Sequence, residues 1–134
     1  MLVEVELFQL VIAEGNPTHC IVLKEVGGSE RTFPIYIGYP EAMAIDRKLK
    51  NFPFSRPLTH DLLQQTIVKL GARLEKVVLN DLRDGTYYAL LVLNRDGQTV
   101  EVDSRPSDAV ALAVRFGCKL FAQEDVIQSA TPNE

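Results

Sequence analysis

Between Val100 and Gly117 a two-residue period gives way to a helical one across a single proline, and few arrangements of chain accommodate so abrupt a change. Val100 and Val102 face one way and Glu101 and Asp103 the other, the pattern of a strand with one covered face. Beyond Pro106, Ala109, Leu112, Ala113 and Phe116 recur at i, i+3, i+4 and i+7, one apolar stripe of a helix. Gly117 stands where a left-handed cap would end that helix. A strand therefore runs almost directly into a helix, which requires a sheet with helices packed on it.

Asp103, Ser104, Arg105, Ser107 and Asp108 crowd this junction. Capping explains some of them: Ser104 can cap, Pro106 suits the first turn, and an acidic group favours the positive end of the helix dipole. Arg105 is a cation at the unfavourable end, so it implies an ion pair with Asp103 or Asp108, or contact with an outside anion. Its position between a core strand and the most apolar helix favours the buried pair.

The remaining chain supplies the other layers. Alternation predicts strands over Leu2–Ile12, His19–Val26 and Thr32–Ile37, with turns at Glu14-Gly15-Asn16-Pro17 and Gly27-Gly28-Ser29. Pro34 cannot donate to a ladder and marks its strand as an edge or near the edge. Pro40 and Glu41 open a helix carrying Ala42, Ile45 and Leu49. The loop Lys50–Pro57 holds Phe52 and Phe54, either as a lid or, the favoured use, packed beneath it. A second helix, Leu58–Leu70, begins Arg56-Pro57-Leu58-Thr59-His60-Asp61, an echo of Arg105-Pro106-Ser107-Asp108. Each of these helix starts offers unpaired N–H groups suited to an anion. Asp84-Gly85 and Asp96-Gly97 then join the strands Arg73–Leu82, Thr86–Leu93 and Thr99–Asp103 into a meander. Lys119–Phe121 adds a short strand and Glu124–Gln128 a short helix. The expected fold is α+β: a mostly antiparallel sheet of about six to seven strands with three helices packed on it. It forms a single domain over 1–128, followed by a flexible tail over 129–134.

Composition narrows the functional classes. At 134 residues, 46% hydrophobic and 24% charged, the chain can bury one good core. It has no run of about 18 apolar residues and no basic leader before an apolar stretch, which leads to the expectation of a cytoplasmic protein. Cys20 and Cys118 form no Cys-x-x-Cys motif and read as reduced, buried small hydrophobes. His19, inside a strand, reads as structural. A net charge of -4 argues against broad non-specific attachment to nucleic acid.

Four segments together resemble one known family, the bifunctional nuclease domain. They are Phe33-Pro34-Ile35-Tyr36-Ile37-Gly38, Glu41-Ala42-Met43-Ala44-Ile45, Arg56-Pro57-Leu58-Thr59-His60-Asp61-Leu62 and Asp103-Ser104-Arg105-Pro106-Ser107-Asp108-Ala109. The resemblance runs from about Leu2 to Gln128. It implies an α+β fold with its own topology, a tendency to form homo-oligomers, and nuclease activity towards DNA and RNA. It carries over no catalytic residues, so the assignments below rest on side-chain chemistry.

Phosphodiester hydrolysis needs an activated water, compensation of charge on the phosphoryl oxygens and help for the leaving oxygen, commonly from Mg²⁺ or Mn²⁺ held by carboxylates. The candidate metal ligands are Glu41, Asp61, Asp103 and Asp108. The candidate catalytic residues are His60, Asp61, Asp103 and Asp108, with His60 as general base or acid, although capping or packing would equally account for it. Arg56, Arg105 and Ser107 are the candidate substrate-binding residues. The two Arg-Pro junctions would have to meet for this set to work. The rival reading is a non-enzymatic, oligomeric binding or regulatory module whose junctions are structural and whose Ala109, Ala111 and Ala113 admit another helix. Burial separates the two: a sealed Arg105–Asp108 pair favours the module, and an open cleft shared with Asp61 and His60 favours the enzyme.

Overall fold

Alternating side chains at the start of the chain build an antiparallel unit of β1 (Leu2–Val11), β2 (His19–Glu25) and β3 (Thr32–Ile37). Ile21, Leu23, Phe33 and Ile35 point to its covered face and are almost fully buried. Two helices follow, α1 (Tyr39–Leu49) and α2 (Thr59–Lys69), then the meander β4 (Ala72–Arg83), β5 (Thr86–Arg95) and β6 (Gln98–Ser104). Both of its turns are the expected Asp-Gly pairs. Asp84 and Gly85 have φ of 50° and 80°, and Asp96 and Gly97 of 52° and 83°, the doubly left-handed geometry that matches hairpin twist. The chain closes with α3 (Pro106–Phe116), β7 (Lys119–Gln123) and α4 (Glu124–Ala130). This computed structural model describes residues 1–13, 15 and 18–131. Most of the expected first turn and the end of the expected tail therefore lie outside the described residues.

The seven strands form one sheet in the order β3-β2-β1-β7-β4-β5-β6. Pro34 does lie on an edge strand. Two features of the expected fold need correction. The sheet is mixed: α3 carries the chain back from the β6 edge to the centre, so β7 enters between β1 and β4, antiparallel to the first and parallel to the second. The described helices number four, because Glu124–Ala130 forms a full helix that buries Val126 and Ile127.

Although β3 and β5 stand five places apart in the sheet, Tyr87 Oη donates to the Pro34 carbonyl at 3.3 Å and its ring lies 6.1 Å from that of Phe33. The sheet thus curls until its ends approach, and α3 occupies the hollow. Val110, Leu112, Ala109, Ala111 and Ala113 are 0–2% exposed. The small-residue stripe is therefore spent inside the domain, against α1 and the sheet, and is not left for a partner. Gly117 caps α3 with φ of 70°. Ser104 does not cap it: the N-cap is Arg105, and the Ser104 hydroxyl donates instead to the Arg105 carbonyl at 2.8 Å. Arg31 ties the ends of the chain together, bonding Glu25 of β2 at 3.0 Å and Glu124 of α4 at 2.8 Å. His19 is buried and accepts the Ala13 N–H at Nδ1, a structural role. Among the described residues no helix is long and apolar enough to cross a membrane.

Candidate active site

The echo between the two Arg-Pro junctions becomes a contact in three dimensions. His60 is the second residue of α2 and Asp108 the third of α3, and where these helix starts meet, His60 Nε2 lies 2.9 Å from Asp108 Oδ1. Asp108 Oδ2 accepts from Arg105 Nε at 2.9 Å. Arg105 Nη2 in turn lies 3.8 Å from Glu41 Oε2, in the first turn of α1. Four side chains from three helix starts thus form one continuous polar series. It runs along the rim of a cleft of about 1140 Å³, between α2 and the strands β5 and β6. Leu63, Ile67, Leu91 and Leu93 make the apolar floor, and Asp103 and Arg47 complete the polar rim.

Exposure decides what this series can do. Arg105 keeps 64% of its side-chain surface, Asp108 30% and His60 15%. Arg105 is therefore not in the sealed pair that the sequence favoured. The reason is local: as N-cap, with φ of -69° and ψ of 147°, it stands just outside the helix and projects over the rim. Burial pushes the Asp108 carboxyl up, but hydrogen bonds from Arg105 and His60 and the charge of both outweigh it and hold it below the ordinary aspartate value. In its neutral form, a His60 that donates from Nε2 to the ionised Asp108 carries the lone pair of a base at Nδ1.

Asp61 has a different task. Its Oδ1 accepts from Arg115 Nε at 2.8 Å and its Oδ2 from the Leu58 N–H at 3.1 Å, so both oxygens are engaged away from the cleft. Burial pushes its carboxyl up, and the bonds from Arg115 and the Leu58 amide, with the charges of Arg115 and Lys48, bring it below the ordinary value. Arg115 is 3% exposed and also donates to the Ala111 carbonyl at 2.8 Å and the Ala44 carbonyl at 3.1 Å. The buried Arg–Asp pair exists, but at Arg115. The available signal was a lone cation within an otherwise apolar helix.

The other candidates divide in the same way. Asp103, at the end of β6, lines the cleft and is exposed; Arg56 lies in the loop before α2 and outside the cleft lining. Ser107 is 5% exposed and belongs to a smaller cavity on the far side of Arg105. Phe52 and Phe54 are 56% and 50% exposed, with ring centroids 6.3 Å apart, so they are not packed beneath their loop. Glu41, Asp61, Asp103 and Asp108 do not converge on one point. Among the described residues no group of three or more His, Cys, Asp or Glu side chains could hold a metal ion. The oxygen-rich donor set that Mg²⁺ or Mn²⁺ takes is not assembled, and no step below runs through a metal.

Residues 21–134 match the family described as the bifunctional nuclease domain. The chain belongs to that family. It is 37% identical over 127 residues to an uncharacterised protein of Mycobacterium tuberculosis, covering 95% of this chain and 75% of that one. It is 30% identical over 131 residues to bifunctional nuclease 2 of Oryza sativa subsp. japonica, covering 90% of this chain and 40% of the rice protein. Against bifunctional nuclease 1 of Arabidopsis thaliana the identity is 29% over 110 residues, with 80% of this chain and 33% of the plant protein covered. This bifunctional nuclease domain thus corresponds to under half of either plant protein. The His60, Asp108, Arg105 and Glu41 series lies wholly within the matched residues.

Proposed function

We propose that this bifunctional nuclease domain hydrolyses phosphodiester bonds of DNA and RNA at the rim series of its cleft. The observation that carries the reading is the His60–Asp108–Arg105 contact, which puts a base, its orienting carboxylate and a solvent-facing guanidinium side by side. Arg105 spends Nε on Asp108 and turns its outer N–H groups to the non-bridging oxygens of the phosphate. His60 takes a proton from the attacking water, the new P–O bond forms, and the opposite P–O bond breaks, its oxygen drawing a proton from solvent at the open mouth. Asp108 is a positioning residue that fixes the His60 tautomer and offsets the charge it acquires. The bifunctional nuclease names of the plant relatives support the same reaction class. The burial criterion is met in part: Arg105 is 64% exposed and lines an open cleft with Asp108 and His60, which supports the enzyme over the module, while Asp61 stands outside that cleft.

The first test is cleavage of single-stranded RNA and single-stranded DNA by purified protein in EDTA, in Mg²⁺ and in Mn²⁺. Cleavage that persists in EDTA is the expected result. Cleavage abolished by EDTA and restored by Mg²⁺ or Mn²⁺ would return Glu41 and Asp103 to the centre of the chemistry, and no cleavage in any buffer would sink the reading. Arg105→Ala should lower the cleavage rate by about tenfold to a hundredfold, the scale of one charge-assisted phosphate contact. Its melting temperature should stay within a few degrees, since exposed ion pairs contribute about 1 kcal/mol or less.

Self-association is a second proposal, now resting on different residues from the alanine stripe. The edge strand β6 presents Val100 and Val102 at 39% and 40% exposure, and α2 presents Leu62 and Val68 at 57% and 54%. Light scattering at micromolar concentration should give a mass above the 15.0 kDa of one chain. A mass equal to one chain at every concentration would overturn it.

A further inference from the structure

We infer that the smaller cavity beyond Arg105 is a nucleobase subsite built by Tyr36 and Tyr87, and that the substrate is single-stranded nucleic acid with one base turned out of its stack. The inference rests on the nuclease reading for the neighbouring phosphate, and on the cavity's own geometry for the base.

The cavity lies where the two ends of the curled sheet approach. Its volume is about 350 Å³, near the lower end of the range for small-molecule pockets and suited to a unit the size of one nucleoside. Edge strand β3 contributes Tyr36, the start of β5 contributes Tyr87, and the starts of α1 and α3 contribute Gly38, Glu41, Arg105 and Ser107. Tyr87 is held in place by its hydrogen bond to the Pro34 carbonyl and by the Phe33 ring at an interplanar angle of 20°. Tyr36 is 67% exposed, a large aromatic face with no aromatic partner among the described residues. Its phenol lies close enough to add to the effect of burial in raising the pKa of Tyr87.

The polar groups fit a base edge. The Pro34 carbonyl faces the seam, because Tyr87 donates to it; by the two-residue period of a strand, the N–H and C=O of Tyr36 face the same way, unclaimed by β2. A donor and an acceptor side by side are what the amide-like edge of a base requires. Gly38 leaves room for the Glu41 carboxylate, with which a Cβ at that position would collide. Ser107 is buried and makes no side-chain hydrogen bond among the described residues. Glu41 and Arg105 line both this cavity and the cleft. A phosphate on Arg105 therefore has the reacting groups on one side and an aromatic pocket on the other, the order of a reacting phosphate and its neighbouring base. A paired base could not enter, so duplex is excluded.

The test is binding, read by fluorescence anisotropy on a His60→Gln protein to prevent cleavage. The probes are a labelled single-stranded oligonucleotide, its duplex, and a strand of equal length with abasic units. The base-bearing strand should bind about tenfold more tightly than the abasic one, the scale of one base–aromatic stack. Tyr36→Ala should erase that advantage and Tyr36→Phe preserve it. Equal binding of the base-bearing and abasic strands, duplex bound as tightly as single strand, or an advantage that survives Tyr36→Ala would each overturn the subsite, even if the wild-type protein cleaves RNA. Base-dependent binding lost in Tyr36→Ala, from a wild-type protein that cleaves nothing, would keep the subsite and sink the nuclease reading.

Discussion

Replacing Arg115 by alanine should lower the melting temperature by about 10 °C. The guanidinium bonds α3 to the Asp61 side chain of α2, to the Ala44 carbonyl of α1 and to the Ala111 carbonyl of its own helix, and only 3% of it is exposed. Its removal takes one hydrogen bond from each of two interior helix carbonyls, opens a cavity, and leaves Asp61 without its counter-charge. Breaking a buried pair costs about 3 to 5 kcal/mol, and the lower end applies because Asp61 keeps 32% exposure and can be partly resolvated. For a domain between the small and middle size classes, roughly 3 to 5 °C per kcal/mol gives the stated fall. The loss should also depend on pH in a defined sense. The Asp61 carboxyl is held below its ordinary value in the folded state, so the pair's contribution is full above about pH 4 and is lost as pH falls through the lowered folded value. The gap between parent and variant should therefore narrow in acid. A variant melting within about 3 °C of the parent at neutral pH, or a gap that widens in acid, would contradict the assignment.

The largest effect on activity should come from His60→Gln, which should cut the cleavage rate by about 10² to 10⁴, the usual contribution of a positioned proton-transfer group. Glutamine keeps a donor for Asp108 but has no nitrogen that can accept a proton, so melting should change little while turnover collapses. Asp108→Asn should also slow turnover, by about tenfold or more, because an amide acceptor no longer fixes the imidazole tautomer. His60→Gln protein with an intact melt and more than about a tenth of the parent rate would remove His60 from the chemistry.

Much of the local structure was legible from local rules. The Asp-Gly turns, Pro34 on an edge, Gly117 as a cap and the strand-to-helix switch at Pro106 each follow from the backbone preference of one or two residues. The place of β7 did not, since periodicity says how a strand is covered and nothing about which strands it joins. The exchange of roles between Arg105 and Arg115 has the same origin. Arg105 sits in the more polar sequence and Arg115 in the more apolar one, so neighbours alone read as a pair at the first. Burial was decided by α1 and α2, which close over Arg115 through the Ala44 carbonyl and Asp61, while Arg105, the N-cap of α3, stands on the rim of the cleft. The contact between His60 and Asp108, 48 residues apart, was only a condition the two junctions had to meet.

The central position of β7 governs when the molecule can come into being. Leu120 pairs with Val5 on one side and Val77 on the other, so one five-residue strand welds a hairpin unit made early to a meander made late. On the ribosome, both units must wait as separate sheets with their inner edges bare until the chain has grown past residue 123. Only then can the sheet close around α3. Assembly therefore waits for β7 and is dominated by long-range pairing, the slow regime for a chain of this size. During that interval the bare edges of β1 and β4 are where chaperones would find a purpose and where premature release would favour aggregation.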